Sequence, residues 1–209
     1  MATLRTDLRT EIRDYIYEAS GETGAIWSDA VLNRMISREV QALPSNDIYL
    51  EETWTTTTVV DQYDYTLPTG TQKVEQVERN DGTTDLPDWN ELNGCDTYGD
   101  VLTLPYRPSA ADTLRIKIKK AFTIPSDDTT NLEVPDDKCE VIVVGVALRC
   151  FKRMIGYLSK SVSWDTVTKP GDLAIPAIQS WIQSAKQDYK ELIKRFASVP
   201  KPRDINLVS

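Results

Sequence analysis

The chain has 209 residues, 40% hydrophobic and 27% charged, with 24 basic and 32 acidic side chains. That composition is globular rather than disordered and is long enough for one large domain, or a domain with appendages. Histidine is absent, which excludes Ser-His-Asp and Cys-His catalysis and removes the commonest metal ligand.

The charge is unevenly spread. Ser45–Asp137 holds 19 acids and 7 bases, whereas the remainder holds 13 acids and 17 bases. An acidic middle repels nucleic acid rather than gripping it. No apolar leader follows Met1 and no apolar run approaches the roughly 20 residues that a bilayer demands, so neither a signal peptide nor a membrane span is expected. Cys95, Cys139 and Cys150 are odd in number and far apart, with neither CxxC nor zinc spacing; free thiols imply a reducing compartment.

In chain order, Thr3–Ser20 reads as an amphipathic helix: Leu4, Leu8, Ile12, Tyr15/Ile16 and Ala19 recur at helical spacing, with Arg5, Arg9, Glu11 and Arg13 between them. Thr3 or Thr6 would cap it and Gly21 and Gly24 would end it. A second helix follows Trp27-Ser28-Asp29, with Ser28 as N-cap; Leu32, Met35, Ile36, Val40 and Leu43 form its buried stripe, and Pro44 closes it. From Tyr49 the period changes to alternation. Strands are expected over Thr53–Val60, around Tyr63–Leu67, over Gln72–Arg79 and over Val101–Leu104, with a turn at Asn80-Asp81-Gly82. Leu86–Gly94 is ambiguous, with Trp89 and Leu92 suited to tucking a loop onto the sheet. Thr113–Phe122 is the clearest strand: Leu114, Ile116 and Ile118 face in, Arg115, Lys117 and Lys119 face a wet side. Ile124–Val134 is a polar loop.

Asp136–Leu158 is apolar almost all round at Val141–Leu148 and reads as a central core helix, its acids at the start and Lys152/Arg153 late, as the macrodipole favours. Lys160–Pro170 is a linker. Gly171–Ala197 is a last helix, with Ala174, Ile178, Trp181/Ile182, Ala185, Tyr189, Leu192/Ile193 and Phe196 as its stripe and Pro176 in its first turn or at a kink. The expected fold class is α+β: mainly an α-helical bundle with a small antiparallel β domain inserted between helices two and three. The divisions are 1–44, the inserted 45–134, 135–198, and an extended tail at 199–209.

Chemistry is sparse. Asp81-Gly82-Thr83-Thr84-Asp85 lacks the ligand spacing of a calcium loop and reads as a hairpin turn. Asp127-Asp128 and Asp136-Asp137 read as a solvated loop and a helix start rather than a general acid–base pair. No cofactor or metal is expected. The five tryptophans suit core or interface anchoring. In the tail, Pro200, Lys201, Pro202, Arg203, Ile205, Leu207 and Val208 form an extended segment with an apolar end, suited to docking along a partner by strand addition.

Three places carry a resemblance to the tailed-phage head–tail connector (adaptor) family. They are Leu8-Arg9 through Ile12 leading to Trp27-Ser28-Asp29-Ala30 and Leu32; Tyr63-Asp64-Tyr65-Thr66-Leu67-Pro68; and Val101–Pro108 followed by Ala110–Ile116. The likeness runs in order over most of residues 1–195; the tail beyond Phe196 matches nothing in the family. The resemblance implies a helical bundle with an inserted β domain, in a virion structural protein without enzymatic activity. It further implies a homo-oligomeric ring, usually of twelve copies, beneath the portal protein. Such a ring joins the portal to a downstream neck or tail protein, passes DNA through its lumen without reading sequence, and assembles in the bacterial cytoplasm. A reading from another class is a carbohydrate- or peptide-binding β module whose platform is Trp54, Trp89 and Tyr63/Tyr65.

Overall fold

A computed structural model describes residues 4–16, 26–83, 85–124, 127–128, 132–162 and 171–197. The element order is α1 (Arg5–Tyr15), α2 (Asp29–Ala42), a 3-10 turn (Leu43–Asn46), β1 (Leu50–Thr57), β2 (Asp64–Thr66), β3 (Thr71–Asn80), β4 (Trp89–Glu91), β5 (Asp96–Tyr98), β6 (Val101–Thr103), β7 (Thr113–Lys120), α3 (Asp136–Val162) and α4 (Gly171–Phe196). The chain divides into two compact units, one of residues 1–48 and 123–209 and one of Tyr49–Phe122.

The expectation of a mainly helical bundle with a small β domain is therefore corrected. Helices stand at both ends of the described order, and the middle holds seven strands in two antiparallel sheets. The physical reason is strand length. β4 and β5 have three residues each, too few for alternation to register, whereas β2 and β6 fall within the strands expected around Tyr63–Leu67 and over Val101–Leu104. Leu86–Gly94 is ambiguous in sequence for that reason; it contains β4, and β5 begins two residues after it.

In the helical unit, α3 packs against α1, α2 and α4. Its Val141–Leu148 stretch is buried at every position, as an element apolar all round requires. The stripe expected for α2 is buried as well: Leu32, Met35, Ile36, Val40 and Leu43. The start of α1 differs from expectation. Its N-cap is Leu4, whose backbone N–H donates to the Asp7 carboxylate at 3.0 Å, while Thr6 lies inside the helix. Ser28 does cap α2, by backbone geometry and without a side-chain hydrogen bond. Beyond Ala42, Pro44 tightens the chain into the 3-10 turn, which ends at Asp47 in the left-handed region.

In the β unit, one sheet runs β1-β7-β3-β4 and the other β2-β6-β5. The core lies between them: Tyr65, Leu67, Leu102 and Leu104 from the second sheet and its flanks meet Val77, Leu114, Ile116 and Ile118 of the first. Cross-strand pairing sets Trp54 and Val77 opposite Ile116, so β7, flanked on both sides, carries the inward face.

Candidate interaction surfaces

The helical unit holds two charged clusters. Arg5, Arg9 and Arg13 share one face of α1 at helical spacing, and all three are buried. Asp128 accepts from Arg9 at 2.7 Å and lies 3.6 Å from Arg5. Asp29, in the first turn of α2, meets Arg13 at 2.7 Å and Arg9 at 3.6 Å. Asn33 accepts from Arg9 and donates to Asp128, and Arg13 also donates to the Trp27 carbonyl. The arginines therefore do not form a solvated face, and Asp128 is not a free loop acid: together they bind α1, α2 and residue 128 into a ladder of alternating charge. Buried guanidiniums paired with carboxylates can hold a register that apolar packing alone leaves loose.

The second cluster centres on Glu39 of α2, whose side chain is 3% exposed. Arg149 of α3 donates to it from two nitrogens, at 2.8 and 2.6 Å, and the Tyr189 hydroxyl of α4 donates to its other oxygen. Burial first, then this bond to Glu39, holds the Tyr189 phenol well above its ordinary pKa. Gly145 makes the approach possible: a Cβ there would stand 2.6 Å from the Glu39 carboxyl. One acid thus joins three helices.

The exposed apolar side chains form the third feature. Ile26, Tyr157 and Trp181 are exposed on the helical unit. Phe151 and Trp181 meet at 5.8 Å between ring centres, and with Asp14, Tyr15 and Ser184 they line a cavity of about 300 Å³. On the β unit, Val59, Val60 and Tyr63 are exposed together in the connection from β1 to β2, and Leu86 and Tyr98 project from the β3–β4 and β5–β6 turns. Clustered exposed apolar groups of this kind suit association with other protein.

The sheet face bearing Arg115, Lys117 and Lys119 is not uniformly wet. Lys119 is buried and paired with Glu75, and Arg115 lies 4.3 Å from the Trp89 ring centre while donating to Glu78 at 2.6 Å. The hydrogen bond from Arg115 holds the Glu78 carboxyl below its ordinary pKa, against the opposing effect of burial. A depressed carboxyl contributes stability above its unfolded value, about 4.3, and that contribution is lost as pH falls through the folded value. Urea midpoints of the protein and of Arg115→Met should therefore differ most near neutral pH and converge below about pH 4; a gap independent of pH would show that the ion pair contributes nothing.

Several candidates weighed in the sequence have structural roles. Asp81 accepts from Arg79 and Asn90, and the Asn80 side chain accepts from the Gly82 and Asp88 backbones. A Cβ at Gly82 would stand 2.2 Å from the Leu86 carbonyl oxygen, so this is a tight hairpin turn built around glycine. Among the described residues, no group of three or more acids and cysteines is placed to hold a metal. The aromatic platform is not assembled either. Trp54 lies on the core face of its sheet and Trp89 on the opposite face, Tyr65 is buried with its hydroxyl bonded to Gln62 and Val59, and Arg107 covers Tyr63. Cys139 and Cys150 are buried, and burial, then Asp96, raises the Cys95 thiol pKa. Pro200, Lys201, Pro202, Arg203, Ile205, Leu207 and Val208 lie outside the described residues, as does most of the expected linker. Among the described residues, no helix is long and apolar enough to cross a membrane.

Sequence reasoning missed both charged clusters. The one available signal was the spacing of Arg5, Arg9 and Arg13, which is that of a buried stripe.

No family model matches the chain, and no curated protein matches it. Among solved structures, a chain from the neck of an empty GTA particle computed with C6 symmetry is similar over 92% of this chain and 89% of that one, with a TM-score of 0.29 and 14% identity. A likeness at that level bears no weight.

Proposed function

We propose that this protein is a virion structural component of the head–tail connector class, and more particularly the adaptor that forms a ring beneath the portal. The observation that carries this reading is where the resemblance motifs fall. Tyr65, Leu67, Leu102, Leu104, Leu114 and Ile116 all belong to the core of the inserted β unit, and Trp27-Ser28-Asp29 leads into α2. The residues that carry the resemblance thus fall in α1, at the start of α2 and in the core of the β unit, in that chain order.

The mechanism is interface formation rather than turnover. Exposed apolar groups on both units supply contact area, and heterologous contacts between copies close a ring. Segment Pro200–Ser209 latches the ring to its neighbours. The acidic middle of the chain keeps DNA from adhering where it passes. The protein would act in the virion, at the head–tail junction, between the portal and the next neck or tail protein.

The test is to mix the purified protein with its cognate portal ring and image the particles. A second ring seated coaxially under the portal is the expected result. Portal rings that stay bare at saturating protein would refute the reading. Deletion of 199–209 should weaken that seating, and unchanged seating would remove the latch.

A further inference from the structure

The two long edges of the four-stranded sheet differ. On one side, β3 carries register shifts between Thr71 and Lys73 and between Val74 and Gln76, and β4 covers its far end. Bulges and a covering strand are the usual protection of a sheet edge. On the other side, β1 pairs with β7 without a slip from Leu50 to Thr57, and nothing pairs its outer edge among the described residues. β1 contains no proline and no lysine, and Glu51, Glu52, Thr53, Thr55 and Thr57 are exposed. An eight-residue edge without a register slip, half of it threonine, is a template for one more strand.

The chain also contains a segment whose pattern fits that template. After Pro202, Arg203-Asp204-Ile205-Asn206-Leu207-Val208 has every backbone N–H and places Ile205 and Leu207 on one side. Lys201 and Arg203 against Asp204 leave residues 201–208 with one net positive charge, facing Glu51 and Glu52 at the start of β1, of which Glu52 also pairs with Lys120 at 3.0 Å. Phe196 ends α4, and nine residues, if fully extended, span at most about 30 Å to Ile205.

We infer that residues 203–208 of one copy add to the β1 edge of the adjacent copy as a parallel strand, with Arg203 beside Glu52, Ile205 beside Trp54 and Leu207 beside Thr56. That register sets the basic residue against the acid. It also lays both apolar side chains over Trp54, which is half-buried on the core face. Asn206 then lies beside Thr55 on the outer face. A donor segment on one copy and an acceptor edge on the next form a heterologous contact, which closes into a ring when repeated. The choice of a neighbouring copy over the chain's own segment rests on the ring reading above.

The test uses full-length chains in a Cys95→Ser background. A Thr55→Cys chain is mixed with an Asn206→Cys chain and oxidised mildly, alongside a control pairing Asn206→Cys with Lys186→Cys on the exposed face of α4. The Thr55–Asn206 mixed disulfide is expected in about tenfold excess over the control, because pairing raises the local concentration of the two thiols. Arg203→Glu in the donor chain should lower that yield several-fold. Equal yields in test and control would overturn the inference, and so would no disulfide at all. A doubly substituted chain that forms only an intrachain bond would overturn the assignment to a neighbouring copy. Portal seating is scored separately: rings seated without the disulfide sink the strand addition and leave the connector reading intact, and the disulfide without seating does the reverse.

Discussion

Arg149→Met is expected to cost about 3–5 kcal/mol of stability, the largest loss of any charged-residue substitution in the helical unit. Glu39 is 3% exposed and receives two of its hydrogen bonds from the Arg149 guanidinium. Methionine keeps much of the aliphatic stem but leaves a buried carboxylate with Tyr189 as its remaining described partner. Water cannot reach it readily, because Glu39 lies directly over Gly145. The double variant Glu39→Met/Arg149→Met should recover more than half of the loss, since an apolar pair of similar volume asks nothing of the solvent. Urea midpoints of the two single variants and the double close the cycle. Strictly additive losses would mean that the pair is not coupled and that the cluster does not hold the three helices together.

That cluster also marks the boundary of what periodicity conveys. The α2 stripe from Leu32 to Leu43 was legible because apolar residues at helical spacing identify their own face. Glu39 lies in the same arc, between Ile36 and Val40, but a carboxylate there is intelligible only beside Gly145 and Arg149, the latter 110 residues away in sequence. Arg5, Arg9 and Arg13 repeat with the period of a core stripe, yet arginine at that spacing reads as a solvated face unless its acceptors are known; Asp128 is 119 residues from Arg9. Lys119 breaks the wet-face reading of β7 for the same reason, its partner Glu75 lying on another strand. Local pattern identifies which residues seek burial from water. It carries no information on which charges will find one another across the fold.

The β unit shows the complementary case. The alternation in β7 correctly assigned Leu114, Ile116 and Ile118 to the inner face, because a buried face fixes the parity of a whole strand. β2 and β6 fall within the strands expected around Tyr63–Leu67 and over Val101–Leu104, whereas β4 and β5, in and just after the ambiguous Leu86–Gly94, escaped. Without β5, nothing in the sequence joined β2 and β6 into the second sheet that covers the inward face of β7.

The asymmetry of β7 gives the other large expected effect. Ile116→Ala should destabilise the protein by about 2–5 kcal/mol. Ile116 is 0% exposed, has Trp54 and Val77 opposite it on the flanking strands, and lies in the core closed by the second sheet. Removing its outer carbons takes dispersion contacts from several side chains at once. The short strands above have little freedom to settle into the gap, because Tyr65 is held by hydrogen bonds to Gln62 and Val59. Lys117→Ala, one position along and on the opposite face, removes a half-exposed side chain that touches Gln76 and Glu78. It should cost no more than about 1 kcal/mol. Comparable losses for the two substitutions in urea melts would mean that the second sheet does not close over β7 and that the core lies elsewhere.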